Sequence, residues 1–581
     1  MRPLFLRPVL AGLTALSLAF APIAPAFAQT AQRKQLLEYP SIHHPVVGTR
    51  GMVVSQNELA SQVGAEILRK GGNAVDAAVA VGFALAVTLP RAGNIGGDGF
   101  MMVYMADTKK TVAIDFRSIS PRAATLDMFI DNEGEESARA SRGYRAASVP
   151  GTVAGLALAH KQYGKLPWKD VVAPAIKLAA DGVTLTPDEA FVFGWAQERL
   201  TESDAGKRAF YKPDGGLYKA GETLKQPDLA WSLRQISDHG PDAFYKGEIA
   251  RKLAADMKAH GGLITLEDLA AYKPVVREPL MGTYRGYTVA TTPPASAGGA
   301  TLLQMLNILE HFDLKKMGGA GSSGVLHVLS ETMKLAYADR YKFLGDTDFV
   351  KVPLKGFVSK AYGDERARLI DPDKARPAKE LGAGDPWKFE SPNTTHFSVA
   401  DAAGNVVSTT YTLGADFGSG VMVEGAGFVL NNQMNNYAHE AAFKAAARGE
   451  AAPLNAMAPG KRMLSTMMPT IIFKDGKPWL ITGTPGGSTI IDTVLQVIVN
   501  VIDFDLNVAE ATHQPRIFQN ASDTLEVEPN FNADTVAALR AKGHPVKTAE
   551  TMGSAQSIMI DKGLFLGAAD PRRPGALAVA P

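Results

Sequence analysis

Thr394 and Thr412 stand in two short runs of β-branched and aromatic residues, Thr394 to Ala400 and Val406 to Leu413. Between them lies Asp401-Ala402-Ala403-Gly404-Asn405. Turn-forming residues between two such runs predict a β-hairpin. With the turn centred on Ala403, Thr394 and Thr412 are directly opposed on one face, their Cβ atoms about 4.5–5.5 Å apart. That places two hydroxyls within reach of each other, the raw material for nucleophilic chemistry. Downstream, Gly483-Thr484-Pro485-Gly486-Gly487-Ser488 follows another strand-like run. Consecutive glycines let backbone N–H groups approach a ligand closely, as stabilising the oxyanion of an acyl transfer requires. Each signal also has a plainer reading. Opposed threonines are good strand formers, Gly-Gly is a common turn, and Asn393-Thr394-Thr395 fits a glycosylation sequon.

These groups need a scaffold. The polar stretch from Asp371 to Pro392, with its prolines and glycines, predicts an exposed loop that delivers the chain into residue 393. Upstream, Ser61 to Lys70, Gly151 to Tyr163 and Thr301 to Phe312 have helical spacing, and the first ends at Gly71-Gly72. Ala74 to Leu89 is the most apolar segment of the interior. It is short, carries Asp76 and stops at Pro90, so it reads as a buried core helix rather than a membrane span. Downstream, Pro469 to Phe473 and Trp479 to Gly483 pair around Lys474-Asp475-Gly476-Lys477. Ile490 to Ile502 is a helix or a buried strand, and its period does not decide between them. Hairpins with helices at both ends of the chain imply sheets covered by helices, an α/β (α+β) fold.

Composition narrows the chemistry. The 581 residues carry a formal net charge of +1, with 46% hydrophobic and 20% charged residues. This is an ordinary globular balance without the basic footprint of a nucleic-acid binder. The absence of cysteine excludes disulfides, cysteine-ligated zinc and a cysteine nucleophile together. Residues 1–28 read as a signal peptide: Arg2 and Arg7, an apolar stretch from Val9 to Phe20, and Ala26-Phe27-Ala28 as the cleavage site. The implied location is periplasmic or secreted, without a membrane anchor after removal of the signal.

Longer strings match a known family in order. They include Gly71-Gly72-Asn73-Ala74-Val75-Asp76, Ala92-Gly93-Asn94-Ile95-Gly96-Gly97, Asp115-Phe116-Arg117, Val149-Pro150-Gly151-Thr152, Asn393-Thr394-Thr395-His396, Leu430-Asn431-Asn432-Gln433-Met434, Pro485-Gly486-Gly487-Ser488 and Asp570-Pro571-Arg572. Over nearly all of its length after residue 28 the chain resembles the bacterial γ-glutamyltransferases (glutathione hydrolases), which are N-terminal-nucleophile hydrolases. The resemblance implies a four-layer αββα sandwich forming one integrated domain. It also implies a precursor that cuts itself between Asn393 and Thr394. The products would be a large subunit of residues 29–393 and a small catalytic subunit of residues 394–581 that stay together. Thr394 is then the nucleophile, Thr412 the hydroxyl that holds it, and Gly486 and Gly487 the oxyanion donors. A threonine hydroxyl is too weak an acid to attack unaided, whereas an α-amino group titrates near pH 7.7–8.0 and can act as its base. The nucleophile therefore has to become a chain terminus. The implied substrates are γ-glutamyl amides such as glutathione, with water, amino acids or peptides as acceptors, and no metal or organic cofactor.

By the same resemblance Arg117 grips the substrate α-carboxylate, Ser465 and Thr466 contact it, and the segment between Gln433 and Ser465 covers the site. Gly414, Gln433 and Asn436 face the α-amino group. Departures from the family pattern cluster there. Gly414 stands where the family has asparagine, Asn436 where it has aspartate, and Ser118 where a glutamate follows the arginine. Asp416 offers a replacement charge nearby. The alternative reading is an acylase of the glutaryl or cephalosporin type on the same scaffold. A solute-binding protein with a dead site conflicts with the intact Asn393-Thr394 junction, Thr412 and Gly486-Gly487.

Overall fold

Every residue from Gly51 to Ser55 is buried, and successive side chains enter different apolar layers: Met52 and Val54 one, Val53 another. The strand Asp98–Met105 behaves alike, with Met102 and Tyr104 on one side and Met101 and Val103 on the other. Strands covered on both faces read as continuous apolar runs. A computed structural model describes residues 41–381 and 393–581, with side chains throughout except those of Asn393 and Thr394. The signal segment 1–28, residues 382–392 of the expected loop, and the side chains on either side of the expected cut lie outside the described residues.

Two antiparallel seven-stranded sheets stack face to face. One runs, in spatial order, Val46–Gly48, Leu564–Ala569, Gln556–Asp561, Lys477–Thr482, Thr470–Lys474, Tyr287–Thr291, Leu280–Tyr284. The other runs Leu577–Val579, Gly51–Ser55, Asn393–Asp401, Val406–Gly414, Asp98–Met105, Lys110–Asp115, Val275–Arg277. Met52, Val54, Met102, Ile471, Ile481 and Ile558 fill the layer between them. Helices Glu58–Arg69, Ala74–Thr88 and Thr152–Tyr163 cover the outer face of the second sheet. Gly298–Leu309, Ser323–Phe343 and Thr489–Ile502 cover that of the first. The expected αββα sandwich is thus observed, and residues 42–581 form one compact unit.

The apolar segment from Ala74 is the buried helix its composition predicts. All fifteen residues of Ala74–Thr88 are buried, and Asn73 and Asp76 form a capping box at its start. Ile490 to Ile502 is resolved as helix, Thr489–Ile502. No helix among the described residues is long and apolar enough to cross a membrane. The expected loop from Asp371 is partly corrected. Before residue 382 it is tied down: Ile370 and Leu381 pack on Ile308 and Leu335, and the Arg376 N–H donates to Glu331 at 3.1 Å. Single apolar residues in a polar stretch gave no periodic signal of that anchoring.

Candidate active site

The hairpin has the expected register. Thr395 pairs with Tyr411 and the ladder runs to Ala400 opposite Val406, consistent with a turn centred on Ala403. Asp401 sets that turn by accepting the N–H groups of Ala403 and Asn405 at 2.9 and 3.0 Å. Its other oxygen accepts the Ala74 N–H at 2.8 Å, fastening the turn to the buried helix. The register slips by one between Asn393 and Thr395, so that Asn393 faces Gly414. Thr412 and Leu413 thus stand opposite the single residue Thr394, a β-bulge in the later strand that replaces the direct Thr394–Thr412 pair expected. Thr412 is almost fully buried, and its Oγ1 accepts the Gly414 N–H at 2.8 Å.

Around the end of this hairpin, Arg117, Thr412, Gly414, Gln433, Asn436, Ser465, Thr466 and Gly487 line one narrow pocket, joined by Leu464 and Met467. Thr412 and Gly414 come from one strand of the hairpin, and the rest from a short helical turn at Gln433–Asn436 and from loops far apart in sequence. Gly486 is adjacent but does not line it. Gly486 and Gly487 have φ of +135° and +58° and lead into helix Thr489–Ile502. A side chain at Gly486 would overlap Thr489 Oγ1. No described group accepts a hydrogen bond from either glycine N–H. These amides thus lie at the positive end of a helix dipole, the arrangement that suits an anion. Thr466 Oγ1 donates to the Gly487 carbonyl at 2.8 Å, fixing the loop. Ser465 Oγ accepts the Met467 N–H at 3.0 Å and keeps its own proton to donate.

Arg117 is buried. Its Nη1 donates to Asp98 at 2.7 Å, Nε to the Met463 carbonyl at 3.3 Å and Nη2 to the Leu464 carbonyl at 3.4 Å. Three of its five N–H groups are so used, and two remain for a ligand. Ser118, in the place of the family's glutamate, donates both its N–H and its hydroxyl to Asp98 Oδ2. Asn455, within the segment expected to cover the site, donates to the Asn436 carbonyl at 2.6 Å and accepts the Leu464 N–H at 2.9 Å, so it ties two pocket walls together.

Asp416 is not a substitute charge in the pocket. It lies 3.6 Å from Arg91 Nη1, in a buried group with Glu189 and near Arg199 and Arg573. Burial raises its carboxyl while those arginines pull it down. His396, two residues from the expected nucleophile, could be mistaken for its base. It is fully buried, its ring contacts Thr410 at 2.8 Å and Ser398 at 3.1 Å, and burial lowers it to about 3. It is neutral and structural. Asp98 and Asn455 escaped the sequence reading because each acts on residues distant in the chain. The only hint was that Asp98 follows the matched string ending at Gly97.

A sequence profile of the family described as gamma-glutamyltranspeptidase matches residues 60–580. The glutathione hydrolase proenzyme of Escherichia coli strain K12 is 47% identical over 98% of this chain and 98% of its own length. That of Bacillus subtilis strain 168 is 43% identical over 91% of each. Among solved structures, the cephalosporin acylase of Bacillus halodurans superposes with a TM-score of 0.82 at 31% identity, covering 94% of this chain and 98% of that one. The chain belongs to the γ-glutamyltranspeptidase family.

Proposed function

We propose that the chain is a self-processing γ-glutamyltransferase and glutathione hydrolase that acts through a γ-glutamyl ester of Thr394. The observation that carries this reading is one pocket lined by a buried guanidinium with N–H groups to spare, by Gly487 just before a helix N-terminus, and by Thr412 and Gly414 of the strand paired with the one that begins at Asn393. In maturation, the Thr394 hydroxyl attacks the Asn393 carbonyl and the chain shifts from amide to ester. That shift breaks the C–N bond and frees the Thr394 α-amine; water then cleaves the ester, releasing an Asn393 carboxylate and the Thr394 hydroxyl. In turnover that amine takes the hydroxyl proton as Oγ attacks the γ-carbonyl. The Gly486 and Gly487 N–H groups receive the oxyanion, in a role where one donor is worth roughly 2.7–4 kcal/mol. The leaving amine departs with the proton, and water or an acceptor amine opens the ester. Arg117 and Ser465 hold the α-carboxylate, Thr466 lines the pocket with its hydroxyl committed to the Gly487 carbonyl, and Gln433 and Asn436 face the α-amino group beside Gly414. The large and small subunits, 29–393 and 394–581, stay together in the periplasm or outside the cell once residues 1–28 are removed.

A second reading, an acylase taking glutaryl or cephalosporin-type amides, is favoured by Asn436, a neutral amide where the family carries a carboxylate. One experiment tests the first reading. Purified protein should give two bands in place of the single 61.7 kDa precursor, the smaller beginning Thr-Thr-His-Phe, and should hydrolyse γ-glutamyl-p-nitroanilide. Thr394→Ala should remain one chain. Cleavage of that variant at the same bond would remove Thr394 from the mechanism.

A further inference from the structure

Asp98 is fully buried at the start of a sheet strand, paired in register with Thr412. Both its oxygens are engaged. Oδ2 takes the N–H and hydroxyl of Ser118; Oδ1 takes Arg117 Nη1 at 2.7 Å and Gln433 Nε2 at 3.2 Å. A carboxylate only accepts, so the Gln433 side chain has to turn its NH₂ toward Asp98. Its Oε1 then points the other way, where it accepts Asn436 Nδ2 at 2.6 Å. That donation fixes the second amide in turn. Asn436 Oδ1 is left buried and without a partner among the described residues, on a residue that lines the pocket. The orientation of both amides thus follows from one acceptor-only group rather than from any choice of how to place them.

We infer that Asp98 is a positioning residue for recognition of the substrate ammonium. Through Gln433 it fixes Asn436 as a hydrogen-bond acceptor, so that an amine-bearing acyl group is still preferred without a carboxylate at position 436. The same carboxylate holds Arg117 with two N–H groups left for the substrate carboxylate, so one buried side chain orients both halves of the head-group site. An unpartnered buried oxygen is costly until a donor reaches it, and an ammonium is the donor that gains most. The inference rests on the γ-glutamyl reading above and sharpens it.

The test is calorimetric binding of L-glutamate and of glutarate, which lacks the amine, to the purified enzyme, alongside hydrolysis of γ-glutamyl-p-nitroanilide. The parent should bind glutamate at least tenfold more tightly than glutarate. Asp98→Asn should lose most of that ratio, because an amide at position 98 no longer dictates which way Gln433 faces. Asn436→Ala leaves Asp98 and Arg117 paired and should lose it too, which covers the case in which Asp98→Asn does not fold. Asn436→Asp should not increase the ratio, since it sets an oxygen against Gln433 Oε1. A parent that binds glutarate as tightly as glutamate overturns the relay. So does an Asn436→Ala or a folded Asp98→Asn protein that keeps the ratio, or an Asn436→Asp protein that raises it tenfold. If glutamate is preferred but γ-glutamyl-p-nitroanilide is not cleaved, the proposed reaction fails while the relay stands.

Discussion

Replacing Arg117 by lysine separates carboxylate recognition from folding and from self-cleavage. The guanidinium is fixed by Asp98 and by the carbonyls of Met463 and Leu464, leaving two of its five N–H groups for a substrate carboxylate. A lysine ammonium can keep the Asp98 contact or reach the substrate, but it cannot reproduce the fork. Two charge-assisted hydrogen bonds are worth roughly 1.5–3 kcal/mol each. If one point contact survives, the net loss is that of one bond, about 1.5–3 kcal/mol, or roughly ten- to hundredfold in kcat/KM at 1.4 kcal/mol per tenfold. Separately, the two backbone carbonyls lose their guanidinium donors, a stability cost of about 1–3 kcal/mol for each left unsatisfied. Arg117→Lys should therefore still mature into two chains, melt at a lower temperature, and hydrolyse γ-glutamyl-p-nitroanilide roughly ten- to hundredfold less efficiently, mainly through KM. A variant within threefold of the parent would refute the assignment of those two N–H groups to the substrate.

Two further outcomes follow from the same geometry. Gly414→Asn, which restores the family's residue, should destabilise the protein by about 2 kcal/mol or more. Gly414 has φ of +102°, and a Cβ there would overlap Asn432 Oδ1, which already accepts the Ala415 N–H at 2.9 Å; an unchanged melting temperature would count against this. Burial raises the Glu189 carboxyl to about 7 against the pull of Arg91. Since its folded value lies above its unfolded value, the stability it contributes is complete below about pH 4.5 and lost as pH rises through about 7. Glu189→Gln should flatten the fall in melting temperature across that window, and an equally steep fall would discard Glu189 as its source.

The readability of the sequence followed the range of the interaction that fixes each feature. The hairpin was legible because its turn residues, Asp401 to Asn405, specify it locally, and the register from Thr395 to Ala400 came with them. The helix from Ala74 was legible because Asn73 and Asp76 cap it within one turn. The pocket residues were found through motif strings rather than physical pattern, since Arg117 and Leu464 meet only when both sheets are assembled. What escaped was the polar wiring between distant segments. Ser118 and Asn436 looked like lost charges until Asp98 was seen behind both, one directly and the other through Gln433. Asp416 looked available until Arg91 was found beside it.

The order of strands also bears on what happens after maturation. In each sheet, strands from before residue 393 lie on both sides of strands from after it: Gly51–Ser55 and Asp98–Met105 flank the hairpin that begins at Asn393, and Val46–Gly48 and Tyr287–Thr291 flank four strands of the other sheet. A cut at Asn393-Thr394 therefore yields two polypeptides neither of which holds a complete sheet. The uncut chain finds its strand partners as a unimolecular process; once cut, the same assembly is bimolecular and concentration-dependent. The mature enzyme would then owe its persistence to slow unfolding rather than to ready reassembly. The single peptide bond it gives up to gain a nucleophile is also the link by which its architecture is built, and that link serves once.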